Sequence, residues 1–131
     1  MKKIIFTVLI LFSINGFAAN WKKVGETTTG ISYVDVDNIK KRNSVAFYWR
    51  LFDYLGPSQN GVDSTISKFK VDCLYEKLTW ISSVYYSQPM GEGKIIKEGT
   101  FNKVQYPRPN TVEYITMKFA CNSKKLEMVV N

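Results

Sequence analysis

The stretch FKVDCLYEKLTW, residues 69–80, decides how this chain is read. Apolar and polar residues alternate along it, so Phe69, Val71, Cys73 and Tyr75 share one face of a β-strand. Lys70, Asp72 and Glu76 fall largely on the other. The cysteine is the unusual member. The 131 residues hold only one other, Cys121, close to the C-terminus. What a strand gains from so distant a partner depends on the compartment in which it folds.

The N-terminus speaks to that compartment. In MKKIIFTVLILFSINGFAAN, Lys2 and Lys3 form a positive segment, Ile4 to Phe12 an apolar run, and Gly16-Phe17-Ala18 a small-x-small cleavage site. The reading is a signal peptide over residues 1–18, cut after Ala18, leaving one domain over residues 19–131. The apolar run is shorter than the ~20 residues that span a bilayer, so no membrane span is expected. No cysteine follows that run, so no lipid anchor is expected either. The product belongs in the periplasm or is secreted. There, two cysteines in a small chain most often form one disulfide, and the wide spacing excludes a Cys-x-x-Cys redox motif. A bridge between Cys73 and Cys121 closes a loop of about 50 residues and contributes about 4 kcal/mol, a large share of a domain's ~5–15 kcal/mol. Its expected role is a structural staple between the middle of a sheet and the C-terminal segment.

Composition narrows the chemistry. Removal of residues 1–18 leaves 131 − 18 = 113 residues, enough for a single modest core. The chain has 18 Lys and Arg against 11 Asp and Glu. Loss of Lys2 and Lys3 leaves 16 − 11 = +5, a balance suited to anionic partners such as lipopolysaccharide phosphates, sulfated glycans or acidic proteins. Histidine is absent, which excludes a His general base, a Ser-His-Asp triad, a Cys-His pair and a His-containing zinc site. Oxidation of both cysteines removes thiolate chemistry. A pair of carboxylates can hydrolyse glycosides, yet no pair is singled out by the order of acidic residues. The expectation is therefore no enzyme, no cofactor and no metal.

Along the chain, Trp21 to Thr27 and Ile31 to Val36 read as strands. Asp37 to Lys41 reads as one tight turn of helix, and Arg42-Asn43-Ser44 turns the chain. Ser44 to Leu55 is the clearest strand, with Val45, Phe47, Trp49 and Leu51 on one face and Tyr48, Arg50, Phe52 and Tyr54 on the other. That second, aromatic face needs a cover. Gly56 to Gly61 is a loop, Leu78 to Ser87 and Lys94 to Phe101 are further strands, and Gly91-Glu92-Gly93 reads as a glycine-rich hairpin. The C-terminal stretch is open between two readings. Asn110-Thr111-Val112-Glu113 fits a helix N-cap, after which Val112, Ile115, Thr116 and Phe119 share a helical face. Equally, Ile115, Met117, Phe119 and Cys121 alternate as a strand does.

Tyr33-x-Asp35 with Ile39, Phe69-Lys70-x-x-Cys73, Tyr85-Tyr86 with Gly91-x-Gly93, and Pro109-Asn110-Thr111 ending at Cys121 together resemble the surface-adhesin protein E family of Gram-negative bacteria. The similarity spans about Tyr33 to Cys121. It implies an α+β fold: a single antiparallel sheet of about six strands, with a C-terminal helix from about Thr111 to Cys121 held on the concave face by the disulfide. It also implies pairing as a homodimer and binding of host extracellular-matrix proteins such as vitronectin and laminin. One departure bears on display. The family's namesake carries a lipid anchor on a cysteine at the cleavage site, where this chain has Ala18-Ala19-Asn20.

Other motifs are weaker. Asp35-Val36-Asp37-Asn38 opens like a calcium loop, but the sixth position is Lys40 rather than glycine and the twelfth is Ala46 rather than glutamate. Aromatics with interleaved Lys and Arg suit stacking on single-stranded nucleic acid, a partner that export removes. Lys40-Lys41-Arg42 is the densest basic run and reads as an exposed turn free of any packing duty. With Lys68 and Lys70, which project opposite Phe69 and Val71, it forms the candidate contact for an anionic protein or glycan. The expected function is a non-catalytic binding module of the bacterial envelope. A periplasmic structural or stress-related envelope protein with no host ligand is the alternative.

Overall fold

The computed structural model describes residues 19–56 and 60–124. The expected signal peptide, residues 1–18, and the centre of the Gly56 to Gly61 loop lie outside the described residues. Seven strands form one antiparallel sheet: β1 (Trp21–Glu26), β2 (Gly30–Asp35), β3 (Lys40–Arg42), β4 (Val45–Tyr54), β5 (Ser64–Asp72), β6 (Lys77–Gln88) and β7 (Glu92–Gln105). Their spatial order is β1-β2-β4-β5-β6-β7, with β3 paired to β4 beside the end of β2. The sheet is thus a meander. One helix follows, α1 (Val112–Cys121), which packs against β1, β2 and β4.

Period-2 alternation sets the register. Tyr48 faces Phe69 across the β4–β5 ladder, and Ala46 faces Val71. These residues join Val34, Ile39, Leu78, Met117, Ala120 and Cys121 in the buried core beneath the helix. Tyr48, only 1% exposed, stacks on Phe69 at 5.5 Å between centroids. Burial pushes its hydroxyl's ionisation far above the ordinary phenol range. The face of β4 that needed a cover has one.

The C-terminal stretch resolves as helix. Its cap is Thr111, one residue beyond the expected Asn110, because the Thr111 hydroxyl accepts the Tyr114 N–H at 3.2 Å. The buried stripe is Val112, Thr116, Met117, Ala120 and Cys121, rotated from the expected one, so Ile115 is 46% exposed. The rotation follows from the anchor. Cys121 must reach Cys73, and residues one turn back from it face the same way. The one buried hydroxyl on the stripe is satisfied: Thr116 Oγ1 donates to the Val112 carbonyl at 2.7 Å and lies 3.1 Å from Ser32 Oγ.

Three expectations about elements need correction. Lys40 and Lys41, expected in a helical turn, and Arg42, expected in the turn after it, form β3, because they pair with Phe47, Ala46 and Val45. The strand through residue 69 ends at Asp72, and residues 73–76 form a turn with Glu76 at φ 54°. The Asp72 carboxylate accepts the N–H groups of Leu74 and Tyr75 and stops the strand there. Tyr75 is therefore 71% exposed instead of sharing Val71's face. Finally, β7 runs from Glu92 to Gln105, longer at both ends than Lys94 to Phe101. The expected hairpin is present, with Gly91 at φ 69° and Gly93 at φ 81°.

Candidate functional site

The pairing of the two cysteines is as expected, but Cys73 lies in a turn and not within a strand. Cys73 and Cys121 form a disulfide with Cα atoms 5.8 Å apart, across 48 positions of sequence. It ties the turn after β5 to the last residue of α1.

The same corner holds Lys41. Position 41 pairs with Ala46 and so faces the helix, where the Lys41 ammonium donates to the Cys121 carbonyl. A helix C-terminus leaves carbonyls unpaired and carries a partial negative charge, so a lysine there satisfies both. Lys41 thus has a packing duty that the sequence reading denied it. Nearby, Tyr114 Oη donates to Glu76 Oε2 at 2.8 Å, and Lys118 Nζ lies 3.3 Å from the same oxygen. The Tyr114 hydrogen bond, more than the Lys118 charge, holds the Glu76 carboxyl below its ordinary range, and the Tyr114 hydroxyl is raised in turn.

The other four expected cations share the opposite face. Lys40 and Arg42 flank Phe47 and Val45 from β3, and Lys70 and Lys68 flank Phe47 and Trp49 from β5. Lys68 Nζ stands 5.3 Å from the centre of the Trp49 ring and 6.0 Å from that of Phe47. The ion pairs among the described residues are Lys23–Glu26 and Lys118–Glu76, so none of these four cations has a carboxylate partner there. Asp72 is on the same face, but its carboxylate is bound to the Leu74 and Tyr75 amides.

The floor between the cations is aromatic and partly open, with Phe47 37% exposed. A hollow of about 450 Å³ is lined by Asn38, Lys40, Phe47, Trp49 and Lys68. A larger one of about 780 Å³ on the other side of Trp49 includes Trp21, Ile66, Tyr86 and Glu92. Sequence reasoning missed Phe47 and Trp49 as site residues, assigning them to an apolar face. The signal was there: both faces of β4 are apolar, and one helix covers one face.

No group of acidic or cysteine side chains among the described residues is placed to hold a metal ion. The segment that opens like a calcium loop is a turn: Asp35 accepts the Asn20 and Asp37 N–H groups and the Asn38 amide. The aromatics considered for nucleic-acid stacking divide between faces. Tyr48 and Phe52 lie on the helix side, with Arg50 stacked over Phe52 and Phe69 at 5.6 and 5.2 Å.

The sequence model of the family described as Surface-adhesin protein E matches residues 21–122. No curated protein matches the chain by sequence. Among solved structures, crystal form II of Haemophilus influenzae protein E is similar at a TM-score of 0.56 and 16% identity, covering 83% of this chain and 100% of that one. A second structure of Haemophilus influenzae protein E has a TM-score of 0.54 and 16% identity, covering 81% of this chain and 86% of that one. Protein E from non-typeable Haemophilus influenzae has a TM-score of 0.54 and 15% identity, covering 82% of this chain and 78% of that one.

Proposed function

Because this chain belongs to the surface-adhesin protein E family, we propose that it is an exported, non-catalytic binding module of the bacterial envelope that recognises host extracellular matrix. The observation that carries this reading is the helix-free face, where Lys40, Arg42, Lys68 and Lys70 surround an aromatic floor with no carboxylate partner among the described residues. Cations left unneutralised on a rigid sheet attract an anionic partner and set its orientation. On the helix side, Lys41 and Thr116 bond to the Cys121 and Val112 carbonyls instead.

Export is part of the proposal: residues 1–18 are removed after Ala18, and the domain is residues 19–131. Among the described residues no helix is long and apolar enough to cross a membrane. Intact mass of exported protein is expected to begin at Ala19 without a lipid adduct, and retention of residues 1–18 would overturn this.

The functional test exposes the exported protein to immobilised matrix proteins and, in parallel, to envelope extract. Retention on a matrix protein is expected at 0.1 M salt and should fall by 1 M, where the Debye length shrinks from ~10 Å to ~3 Å. Retention by envelope components alone would reject the adhesin reading and favour the structural or stress-related alternative.

A further inference from the structure

Resting on that reading and naming its ligand class, we propose that the helix-free face binds a linear sulfated polysaccharide of the extracellular matrix, with Trp49 as the shared wall of a two-part groove. On one side of Trp49 lie Phe47, Asn38, Lys40 and Lys68; on the other lie Trp21, Ile66 and Tyr86. A third hollow of about 410 Å³ continues past Phe47 and Lys40 to Arg42 and Asn43. The three share lining residues in sequence, so they form a continuous track and not separate pits.

Three features favour a saccharide over a peptide. First, the strand at the centre of the track offers no free backbone. β4 is paired to β2 and β3 on one side and to β5 on the other, so a peptide cannot add as a strand and meets side chains alone. Second, the surface alternates flat rings with amines. The C–H faces of a sugar ring pack on indole and phenyl, while sulfates branching from it reach the ammonium groups at the margin. Third, the charges recur along the track. Lys68 and Lys70 are two residues apart on one strand, roughly 7 Å, and Lys40 and Lys70 stand two strand spacings apart, roughly 10 Å, across Phe47. A polymer with an anion on successive sugars can meet several of them at once. Asp35 and Glu92, which also line the larger hollow, disfavour anions there, so the charged part of the ligand belongs on the Lys40, Arg42, Lys68 and Lys70 side.

The source is taken as matrix glycan because the family is one of surface adhesins; the cell's own lipopolysaccharide becomes an outcome of the test. The experiment is calorimetric titration of the exported protein with a heparin octasaccharide. A face variant, Lys40→Gln/Lys68→Gln/Lys70→Gln, is compared with an edge variant, Lys94→Gln/Lys97→Gln/Lys103→Gln on β7, which loses the same charge. A third, Phe47→Ser, changes no charge. Melting temperatures establish that all three fold.

The face variant is expected to bind roughly tenfold or more weakly, the edge variant within about threefold of the parent, and Phe47→Ser several-fold more weakly. Equal losses in the two triple variants would reduce the effect to net charge and overturn the proposal. So would polyaspartate binding as tightly as the octasaccharide, which identifies an acidic-peptide site. Binding of lipopolysaccharide micelles but not the octasaccharide also overturns it. If matrix proteins are retained while the octasaccharide is not, the ligand class falls and the adhesin reading stands. If neither is retained, both fall.

Discussion

Reducing the Cys73–Cys121 disulfide should remove about 4 kcal/mol of stability, and the magnitude follows from where the two residues lie. The bridge spans 48 positions. In the chain-entropy relation a 15-residue loop is worth about 3 kcal/mol and a 100-residue loop about 4.7 kcal/mol, so this loop falls near 4. The loop contains β6, β7 and α1, and all of it gains freedom in the unfolded chain when the bond is cut. Reduction tests this more cleanly than Cys→Ser, because Cys121 is buried in the core and a serine would add the cost of burying a hydroxyl. Denaturant titrations of oxidised and reduced protein under otherwise identical conditions give the difference directly. At roughly 4–8 °C per kcal/mol for domains near this size, the melting temperature should fall on the order of 20 °C. A loss under about 1 kcal/mol would refute the staple. It would mean that the reduced unfolded chain keeps enough residual structure around this loop that cutting the bond frees little.

Three further outcomes are expected. Glu76→Gln should destabilise the protein at neutral pH and not in strong acid. The folded carboxyl lies below its unfolded value, so its contribution exists above the unfolded range and disappears as pH falls through the folded one; a pH series of denaturant midpoints checks it. Lys41→Met should cost about 1 kcal/mol through the lost contact to the Cys121 carbonyl, while Lys40→Met leaves the midpoint nearly unchanged. Gly30→Ala should cost about 1–3 kcal/mol by thermal melting. A Cβ there would stand 2.4 Å from the Phe52 ring and 2.6 Å from the Asp53 carbonyl oxygen, with backbone unable to yield.

The long strands were legible because burial on a sheet imposes parity. Tyr48, Phe69 and Val71 fall on the core side and Lys68 and Lys70 on the other, as alternation requires. Parity failed where the strand stopped. Nothing in Cys73 or Tyr75 signals that the Asp72 carboxylate caps the turn two and three residues on. β3 was illegible for a different reason. Lys-Lys-Arg has no apolar period, and the segment is a strand only because β4 offers it a ladder. VEYITMKFAC suits helix and strand alike by composition. Tertiary space helps decide, since a Cβ at Gly25 would come within 2.9 Å of Val112 and crowd the helix on β1. The cations of the site were found as charges, but Phe47 and Trp49 were not found as their floor. An apolar parity marks a face as buried only when something is available to cover it.

That last point ties the staple to the binding face. Among the described residues the main core cluster lies under the helix, and the disulfide, Lys41 and the Ser32–Thr116 contact all act there. Stability is thereby concentrated on the helix side, where Tyr48, Met117 and Ala120 are almost inaccessible to water. Phe47, Trp49, Lys68 and Lys70 sit on the central strands β4 and β5 of the same ladder, so their backbone positions are fixed by pairing that the ligand need not organise. Binding to such a face orders lysine and arginine side chains but not the backbone of β4 and β5. The consequence is a separation of effects. Substitutions at Lys40, Arg42, Lys68 or Phe47 should alter affinity with little change in midpoint, because each is bordered by solvent and none belongs to the core cluster. Substitutions at Lys41 should do the reverse, although it sits in sequence between two of them. Adjacent lysines with opposite phenotypes are what strand parity requires, and a common phenotype for Lys40 and Lys41 would contradict β3 itself.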